Sequence, residues 1–222
     1  MQLYSGPLSL FTAKVRIALD EKALDWERIE VGWSLADRYL PHHPDVVAHN
    51  PKGEVPVLID GDVVLYDSTV ILEYIEDAYP TPPLYPRDAA QRGRCRQFEA
   101  AADEIVFAPI WDLIEGVFYA AADGGGAADR VDAARADLER QYGKLDKELA
   151  GRDFLCDAFS VADIGTFVML NAAMTLGAPP AAGLANLQAW LARTAERPAV
   201  KQEVATMGAY AMQALASAQG SR

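Results

Sequence analysis

Cysteine is scarce in this sequence, which holds only two, Cys95 and Cys156, among 222 residues. The two lie far apart along the chain and form no C-x-x-C pair. This usage excludes a disulfide framework and a thioredoxin-type redox motif. Because free cysteines are among the residues most often buried, we expect both thiols to be buried and structural.

Basic residues are also few, with 20 lysines and arginines against 32 acidic residues and a net charge of -12. The lysines and arginines form no cluster along the chain. Binding to a phosphate backbone depends on clustered cations. We therefore expect no nucleic-acid partner, and no membrane partner for the same reason.

Long apolar runs are missing as well, since none approaches the roughly 20 residues that span a bilayer. The chain starts in a strand pattern at residues 1–4, without a charged leader before an apolar stretch. We therefore expect a cytoplasmic protein. A hydrophobic content of 51% is ample for one large domain or two small ones.

Histidine occurs only three times, at His42, His43 and His49, in one short region. No cysteine or carboxylate flanks them at convincing ligand spacing, so we expect no metal site. Solvation at the surface is the expectation for His42 and His43.

The first eighty residues change their hydrophobic period repeatedly, which is typical of a sheet covered by helices. After a short apolar start, Thr12 is a candidate cap for a helix to about Leu24, and residues 26–31 alternate as a strand. Proline interrupts residues 32–51, where we expect a short helix and much loop. The right-handed crossover rule makes these first two strands parallel.

Two further strands are indicated by residues 57–59 and 63–65, which are separated by Asp60-Gly61-Asp62. The Asp-Gly pair is a strong hairpin signal and predicts antiparallel pairing. Ser68 is a candidate cap for a helix that ends at Pro80. The segment is therefore predicted to form an α/β domain with a mixed four-stranded sheet.

Beyond a proline-rich connector the strand signal nearly vanishes and alanine becomes frequent. We predict a domain at residues 1–80, a linker at 81–88 and an all-helical domain at 89–222. The first helix of that second domain would bend at Pro109, and residues 123–126 would form a flexible break. The predicted helices are 89–119, 129–149, 160–176, 184–195 and 198–218.

Three motifs resemble those of cytosolic glutathione transferases. Residues 50–58 read N-P-K-G-E-V-P-V-L and are similar to the family's N-P-x-G-x-V-P-x-L, and residues 67–75 match its [ED]-S-x-x-I-x-x-Y-[IL]. Residues 159–164 resemble the S-x-A-D box that starts a buried helix of the second domain. The motifs occur in the family's order over about the whole chain. The resemblance implies a thioredoxin-like domain followed by an all-α helical bundle.

The resemblance also implies a glutathione site. The residue matching Val55 presents its backbone to the cysteinyl part of glutathione, and Pro56 would be cis in the family, the alternative being a trans proline on an edge strand. Ser68 would receive the γ-glutamyl carboxylate at a helix start, and Asp67 its ammonium group. A plain helix cap is the alternative for Ser68.

Ser9 is the candidate catalytic residue, because S-L-F-T-A-K-V-R at residues 9–16 resembles the S-P-F-x-R-x-V-R of serine-type members. Its hydroxyl would stabilise the thiolate of glutathione and would not act as a nucleophile. Leu10 stands where the family usually has proline. Tyr4 and Ser5 are alternatives, as is a site without an activating residue. No cysteine occupies the position, which argues against members that form a mixed disulfide there.

Other contacts are expected from the resemblance and from composition. His49 or Lys52 would face the glycine carboxylate of glutathione, since an acidic protein needs a local cation there. Ser160 and Asp163 are interpreted as a structural helix cap. Five aromatic side chains either wall a pocket for the second substrate between the domains or belong to the core: Phe11, Phe107, Trp111, Phe118 and Tyr119.

The function implied by the resemblance is that of a homodimeric enzyme. It would ionise the thiol of glutathione, its co-substrate, and add the thiolate to an electrophilic small molecule without a metal. Glutathione-dependent isomerases, dehalogenases and ether-cleaving lyases share the framework. A non-catalytic binding module, like the relative associated with RNA polymerase under starvation, is the alternative from another class.

Overall fold

The structure, a computed structural model, describes residues 1–40, 42–119 and 127–220. Four strands and three helices come first along the chain: β1 (Gln2–Ser5), α1 (Leu10–Glu21), β2 (Glu27–Glu30), α2 (Pro44–His49), β3 (Val57–Asp60), β4 (Val63–Tyr66) and α3 (Ser68–Ala78). Helices follow: α4 (Ala89–Ala101), α5 (Phe107–Phe118), α6 (Ala127–Glu148), α7 (Val161–Thr175), α8 (Ala185–Ala195) and α9 (Pro198–Gly220).

The sheet has the strand order β2-β1-β3-β4. Strand β1 pairs parallel with β2 and antiparallel with β3, and β3 pairs antiparallel with β4. The hairpin turns at Gly61, whose φ of +59° is a conformation that glycine adopts without strain. The predicted mixed four-stranded sheet is therefore confirmed.

Each face of the sheet is covered by helices. On one face, Leu3 and Leu58 pack against α1 and α3 through side chains such as Val15 and Ile71. On the other face, Tyr4 and Val57 pack against Val46 of α2. The alternation of side chains along β1 and β3 thus places one core cluster on each side of the sheet.

Two helices begin at residues other than those predicted. The cap of α1 is Ser9, not Thr12, because the backbone of Ser9 is extended and its side chain accepts from the N–H of Thr12, which lies inside the helix. The helix ends at Glu21 instead of near Leu24. The cap of α3 is Asp67, and Ser68 is the first helical residue. Both corrections change how the candidate site is built, because the capping side chains accept hydrogen bonds from the helix starts.

The residues Leu84–Arg197 that the structure describes form a compact unit whose elements are all helical. Helix α7 is buried along most of its length and lies at the centre of this second unit. Helices α4 and α5 are joined by a π-helical stretch, Ala102–Val106, just before Pro109. Such a widened turn suits a proline, which cannot donate the regular helical hydrogen bond. The break predicted at residues 123–126 lies outside the described residues.

The other compact unit contains Met1–Pro83 together with α9. Helix α9 packs on α1, although it comes from the far end of the chain. The sequence-based division into residues 1–80, 81–88 and 89–222 remains a proposal, and the contacts assign α9 to the first unit.

The two cysteines are buried, as the sequence predicted, and they lie against each other in the second unit. Cys95 of α4 and Cys156, shortly before α7, hydrogen-bond through their thiols. This bond lowers the pKa of Cys95 and, together with burial, raises the pKa of Cys156. No helix among the described residues is long and apolar enough to span a membrane.

Candidate functional site

Three segments singled out in the sequence meet at one end of the sheet. Tyr4 pairs with Val57, and Val57 pairs with Tyr66, so these residues form a row across β1, β3 and β4. Because β3 runs opposite to its neighbours, the chain leaves the row toward Ser9, Val55 and Asp67 on the same side. The starts of α1 and α3 are at this end as well.

Ser9 is the cap of α1 and is partly exposed. Its Oγ accepts a hydrogen bond from the backbone N–H of Thr12 at 3.2 Å. A hydroxyl that accepts one bond still has its own proton to donate. The side chain therefore presents a donor at the positive end of a helix, where negative charge is favoured.

The two rival hydroxyls are engaged inside the protein. Ser5 is buried, and its Oγ accepts a hydrogen bond from Nη1 of Arg16 at 2.6 Å. Tyr4 is buried, and its Oη donates to Oδ2 of Asp45 at 3.0 Å. Burial and the Asp45 carboxylate both raise the pKa of Tyr4. A phenol in that setting stays protonated and donates its O–H in the hydrogen bond to Asp45.

Val55 and Pro56 are joined by a cis peptide bond and lie just before β3. The peptide groups of Val55 are outside the strand ladder, which starts at Val57. Two residues of the N-P-x-G motif shape the approach to Val55. The buried Asn50 donates through Nδ2 to the carbonyl of Glu54 at 2.7 Å, and Gly53 has a φ of +68° that favours glycine.

Asp67 and Ser68 form the start of α3. Oδ1 of Asp67 accepts hydrogen bonds from the N–H groups of Thr69 at 3.0 Å and Val70 at 3.4 Å. The backbone of Asp67 has a φ of +75°, which is unusual for a non-glycine residue. Strained residues of this kind concentrate at ligand-binding sites. Asp67 is exposed, whereas Ser68 is buried.

The basic candidates for the glycine carboxylate differ little in their surroundings. His49, in the last turn of α2, is exposed, as is Lys52. His42 is exposed and lies next to Gly53. His43 is partly exposed, and its Nδ1 also caps α2 by accepting a hydrogen bond from Asp45 N–H at 3.3 Å.

The aromatic candidates are found in both units. Phe11 in α1 is partly buried, with Nζ of Lys14 5.5 Å from its ring centroid. The ring centroids of Phe107 and Trp111 in α5 are 6.0 Å apart. Trp111 and Phe118 are exposed, and Tyr119, which follows α5, is partly buried. None of these side chains is fully buried, as a residue of the core would be.

The sequence analysis missed Gly6, which lies between two parts of the site. A Cβ on Gly6 would be 2.6 Å from Oη of Tyr39 and 2.8 Å from Cγ2 of Val55, so only glycine allows this approach. Its position between β1 and the start of α1 was the one available signal. Among the described residues, no group of three or more metal-ligating side chains comes together.

Two domain models of one protein family match this chain. Residues 3–83 match the family described as glutathione S-transferase, N-terminal domain, and residues 128–193 match glutathione S-transferase, C-terminal domain. Glutathione S-transferase 1 of Dianthus caryophyllus is 33% identical over 79% of this chain and 78% of its own.

This chain is also similar to a solved structure that contains glutathione and to a stringent starvation protein. A solved sphingomonad glutathione S-transferase complexed with glutathione is 31% identical, with a TM-score of 0.74, over 94% of this chain and 99% of that chain. The stringent starvation protein A homolog of Coxiella burnetii is 40% identical over 98 residues. That match spans 43% of this chain and 43% of the relative.

Proposed function

Because the chain belongs to the glutathione S-transferase family, we propose that the end of the sheet described above binds glutathione and that Ser9 ionises its thiol. The observation that carries this proposal is the partly exposed hydroxyl of Ser9 at the start of α1, at the same end of the sheet as Val55 and Asp67. The thiol proton passes to water, and the thiolate sulfur bonds to an electrophilic carbon of a small molecule. A leaving group such as halide departs with the electrons of its bond to that carbon, and a thioether results.

The free energy needed to ionise the thiol is similar to the free energy that Ser9 and the start of α1 contribute. A thiol with a reference pKa near 8.5 is mostly protonated at neutral pH, and lowering that pKa by two units takes about 2.7 kcal/mol. A charge-assisted hydrogen bond from Ser9 contributes roughly 1.5–3 kcal/mol. The positive end of α1 adds about 0.3–1 kcal/mol. Together the two contributions amount to roughly 1.8–4 kcal/mol, a range that includes the free energy required.

Glutathione docks through backbone and helix-start contacts. The peptide groups of Val55, which lie outside the sheet ladder, form a short strand-like ladder with the cysteinyl part of the tripeptide. The start of α3 at Ser68 receives the γ-glutamyl carboxylate, and the exposed carboxylate of Asp67 receives the ammonium group. The glycine carboxylate is met by His49 or Lys52.

The electrophile contacts aromatic side chains, which supply an apolar surface for the second substrate. The exposed rings of Trp111 and Phe118, with Phe107 and Tyr119, give α5 an aromatic face in keeping with that role. Detoxification of reactive small molecules is the physiological role that fits this chemistry.

Binding of glutathione is the first test. We expect isothermal titration calorimetry near neutral pH to give saturable heat with glutathione, and we expect free glutathione to displace the protein from an immobilised-glutathione column. Ser68→Ala removes one neutral hydrogen-bonding group and should weaken the affinity about two- to tenfold. Absence of saturable heat with the unaltered protein would overturn the proposal.

Ser34 provides the matched control for the Ser68 variant. It is an exposed serine whose Oγ bonds only locally, to Asp37. Ser34→Ala should leave the affinity for glutathione unchanged. An equal loss in both variants would show that the affinity does not report on the start of α3.

We also propose that the protein is a homodimer that pairs through the edge of the sheet in the first unit. Four exposed apolar residues lie on the two elements there, Val63, Val64 and Tyr66 on the edge strand β4 and Val70 in α3, with exposures of 38–49%. Exposed edge strands with apolar side chains are normally covered. A second copy of the same chain is the partner, because twofold dimers pair one patch with itself.

The variant Val70→Glu tests the dimer. A carboxylate at the centre of a self-complementary apolar contact would face its own copy and lose hydration, so we expect a monomer. Size-exclusion chromatography with light scattering measures the mass. Met212→Glu changes another exposed apolar residue, on α9, and should leave the dimer intact. A monomeric unaltered protein would contradict the proposal.

The cytoplasm is the compartment we propose for the enzyme. The sequence holds only two cysteines and so lacks the disulfide framework that is typical of secreted proteins. Thiols persist in reducing compartments, where disulfides are rare.

A further inference from the structure

Helix α9 brings a carboxylate into the interior of the first unit. Glu203 of α9 is 5% exposed, and Arg16 of α1 is 1% exposed. Nε of Arg16 donates to Oε1 of Glu203 at 3.0 Å and to Oε2 at 2.9 Å, and its Nη2 also donates to Oε1. Buried charges need such partners, because an unpaired charge in the interior is costly.

The other side of the Arg16 guanidinium faces the loop that leads to Ser9. Nη1 of Arg16 donates to the carbonyl oxygen of Gly6 at 3.0 Å and to Oγ of Ser5. The same Gly6 carbonyl accepts from the backbone N–H of Ser9 at 3.3 Å. A continuous line of hydrogen bonds therefore runs from Glu203 through Arg16 and Gly6 to Ser9.

The loop at Gly6 has little room to move. The Cα of Gly6 lies so close to the side chains of Val55 and Tyr39 that even a methyl group on Gly6 would clash with them. A displacement of Gly6 would therefore disturb the cap of α1 on one side and the peptide groups of Val55 on the other. Within the close packing of a protein interior, shifts of this kind are transmitted to neighbours.

We propose that Arg16 and Glu203 are positioning residues that fix the hydroxyl of Ser9 through Gly6, so that α9 controls how strongly the site ionises glutathione. Neither side chain touches the thiol. Arg16 supplies a planar fork that binds the Glu203 carboxylate with two nitrogens and leaves Nη1 for the loop. This inference rests on the proposed role of Ser9.

The test uses Glu203→Gln, which keeps the shape and one carbonyl acceptor but removes the charge. We expect the pKa of enzyme-bound glutathione to rise by about half to one pH unit, equivalent to a roughly three- to tenfold smaller ratio of thiolate to thiol at any given pH. The pKa is measured from the pH dependence of kcat and from the ultraviolet absorbance of the bound thiolate. Arg16→Lys, which keeps the charge but loses the fork, should shift it in the same direction.

A second buried ion pair in the same unit serves as the matched control. Nζ of Lys22 donates to Oε2 of Glu76 at 2.7 Å, and both side chains are buried. Glu76→Gln and Glu203→Gln should both lower the melting temperature, but Glu76→Gln should leave the thiol pKa unchanged. Equal pKa shifts in the two variants, or none in either, would overturn the inference.

A double variant separates the inference from the proposed role of Ser9. In a Ser9→Ala background, Glu203→Gln should cause no further rise of the thiol pKa, because its effect passes through the Ser9 hydroxyl. Additive shifts would mean that Glu203 acts by another route and would refute the positioning role. If Ser9→Ala alone leaves the thiol pKa unchanged, the proposed role of Ser9 fails. If Ser9→Ala raises the thiol pKa but Glu203→Gln and Arg16→Lys do not, the positioning role of Arg16 and Glu203 fails while the proposed role of Ser9 stands.

Discussion

Replacing Ser9 by alanine should lower the turnover of glutathione with a model aromatic halide about ten- to a hundredfold near neutral pH. The loss corresponds to one charge-assisted hydrogen bond to the thiolate, worth roughly 1.5–3 kcal/mol. The affinity for glutathione should change little, because the carboxylates and the peptide backbone of the tripeptide are bound elsewhere. Steady-state kinetics and calorimetry measure the two quantities independently.

Two further substitutions separate the chemistry of Ser9 from its structural role. Ser9 caps α1 through the bond from Thr12 N–H, so alanine also destabilises the helix start by about 1 kcal/mol. Ser9→Thr keeps both the cap and the hydroxyl and should retain most of the activity. Ser9→Asp keeps a capping oxygen but places a negative charge against the thiolate, so the protein should be stable and nearly inactive.

The Ser9 variants could also reassign the activating group. If Ser9→Ala turned over normally, the thiol would have to be activated by another hydroxyl or by the helix start alone. Ser5 and Tyr4 would then be the next candidates. Tyr4→Phe would be the informative variant, because it removes the hydroxyl that donates to Asp45 and leaves the ring in the core.

Replacing Asp163 by alanine should lower the free energy of unfolding by about 4 kcal/mol. Asp163 is fully buried, and its carboxylate accepts four hydrogen bonds, from the N–H groups of Leu155 and Ser160, Oγ of Ser160 and Nε1 of Trp190. Alanine would leave three buried N–H donors without an acceptor, each costing about 1–3 kcal/mol. Urea denaturation followed by circular dichroism measures the change.

Two further variants test whether the loss comes from the hydrogen bonds of Asp163: the partial replacement Asp163→Asn and the control Asp157→Ala. Asparagine keeps one oxygen, which can serve Leu155 and Trp190, but it turns an NH₂ group toward Ser160, so about half of the loss should remain. Asp157 lies in the same segment but is exposed, and it bonds only to the exposed side chain of Gln91. Asp157→Ala should cost less than about 1 kcal/mol. Comparable losses in the free energy of unfolding for Asp163→Ala and Asp157→Ala would show that the four hydrogen bonds of Asp163 do not explain the effect.

The sheet could be predicted from sequence because its signals are local. The turn at Gly61 fixes the β3–β4 hairpin, and a parallel β1–β2 pair follows from the handedness of the crossover. The helix caps were harder, because each start offers two suitable residues. Ser9 and Thr12 are both capping types, as are Asp67 and Ser68, and residue preference alone does not distinguish them.

The candidate site was predictable where a motif spans a few residues, and not where it depends on distant ones. Val55, Pro56 and Asp67 lie within two short motifs. Arg16 and Glu203 are 187 residues apart, and a charge on an amphipathic helix ordinarily indicates its solvated face. The contact of Cys95 with Cys156 could not be predicted from the sequence either, because it depends on how α4 packs in the second unit.

The assignment of α9 to the first unit has a consequence for biosynthesis. A ribosome makes the chain from its amino terminus, so the sheet and α1 emerge long before Pro198–Gly220 does. Until then the Arg16 guanidinium has no carboxylate from α9, and the interior that later buries it stays open to water. The first unit is thus completed only after the whole of the second unit, Leu84–Arg197, has been synthesised.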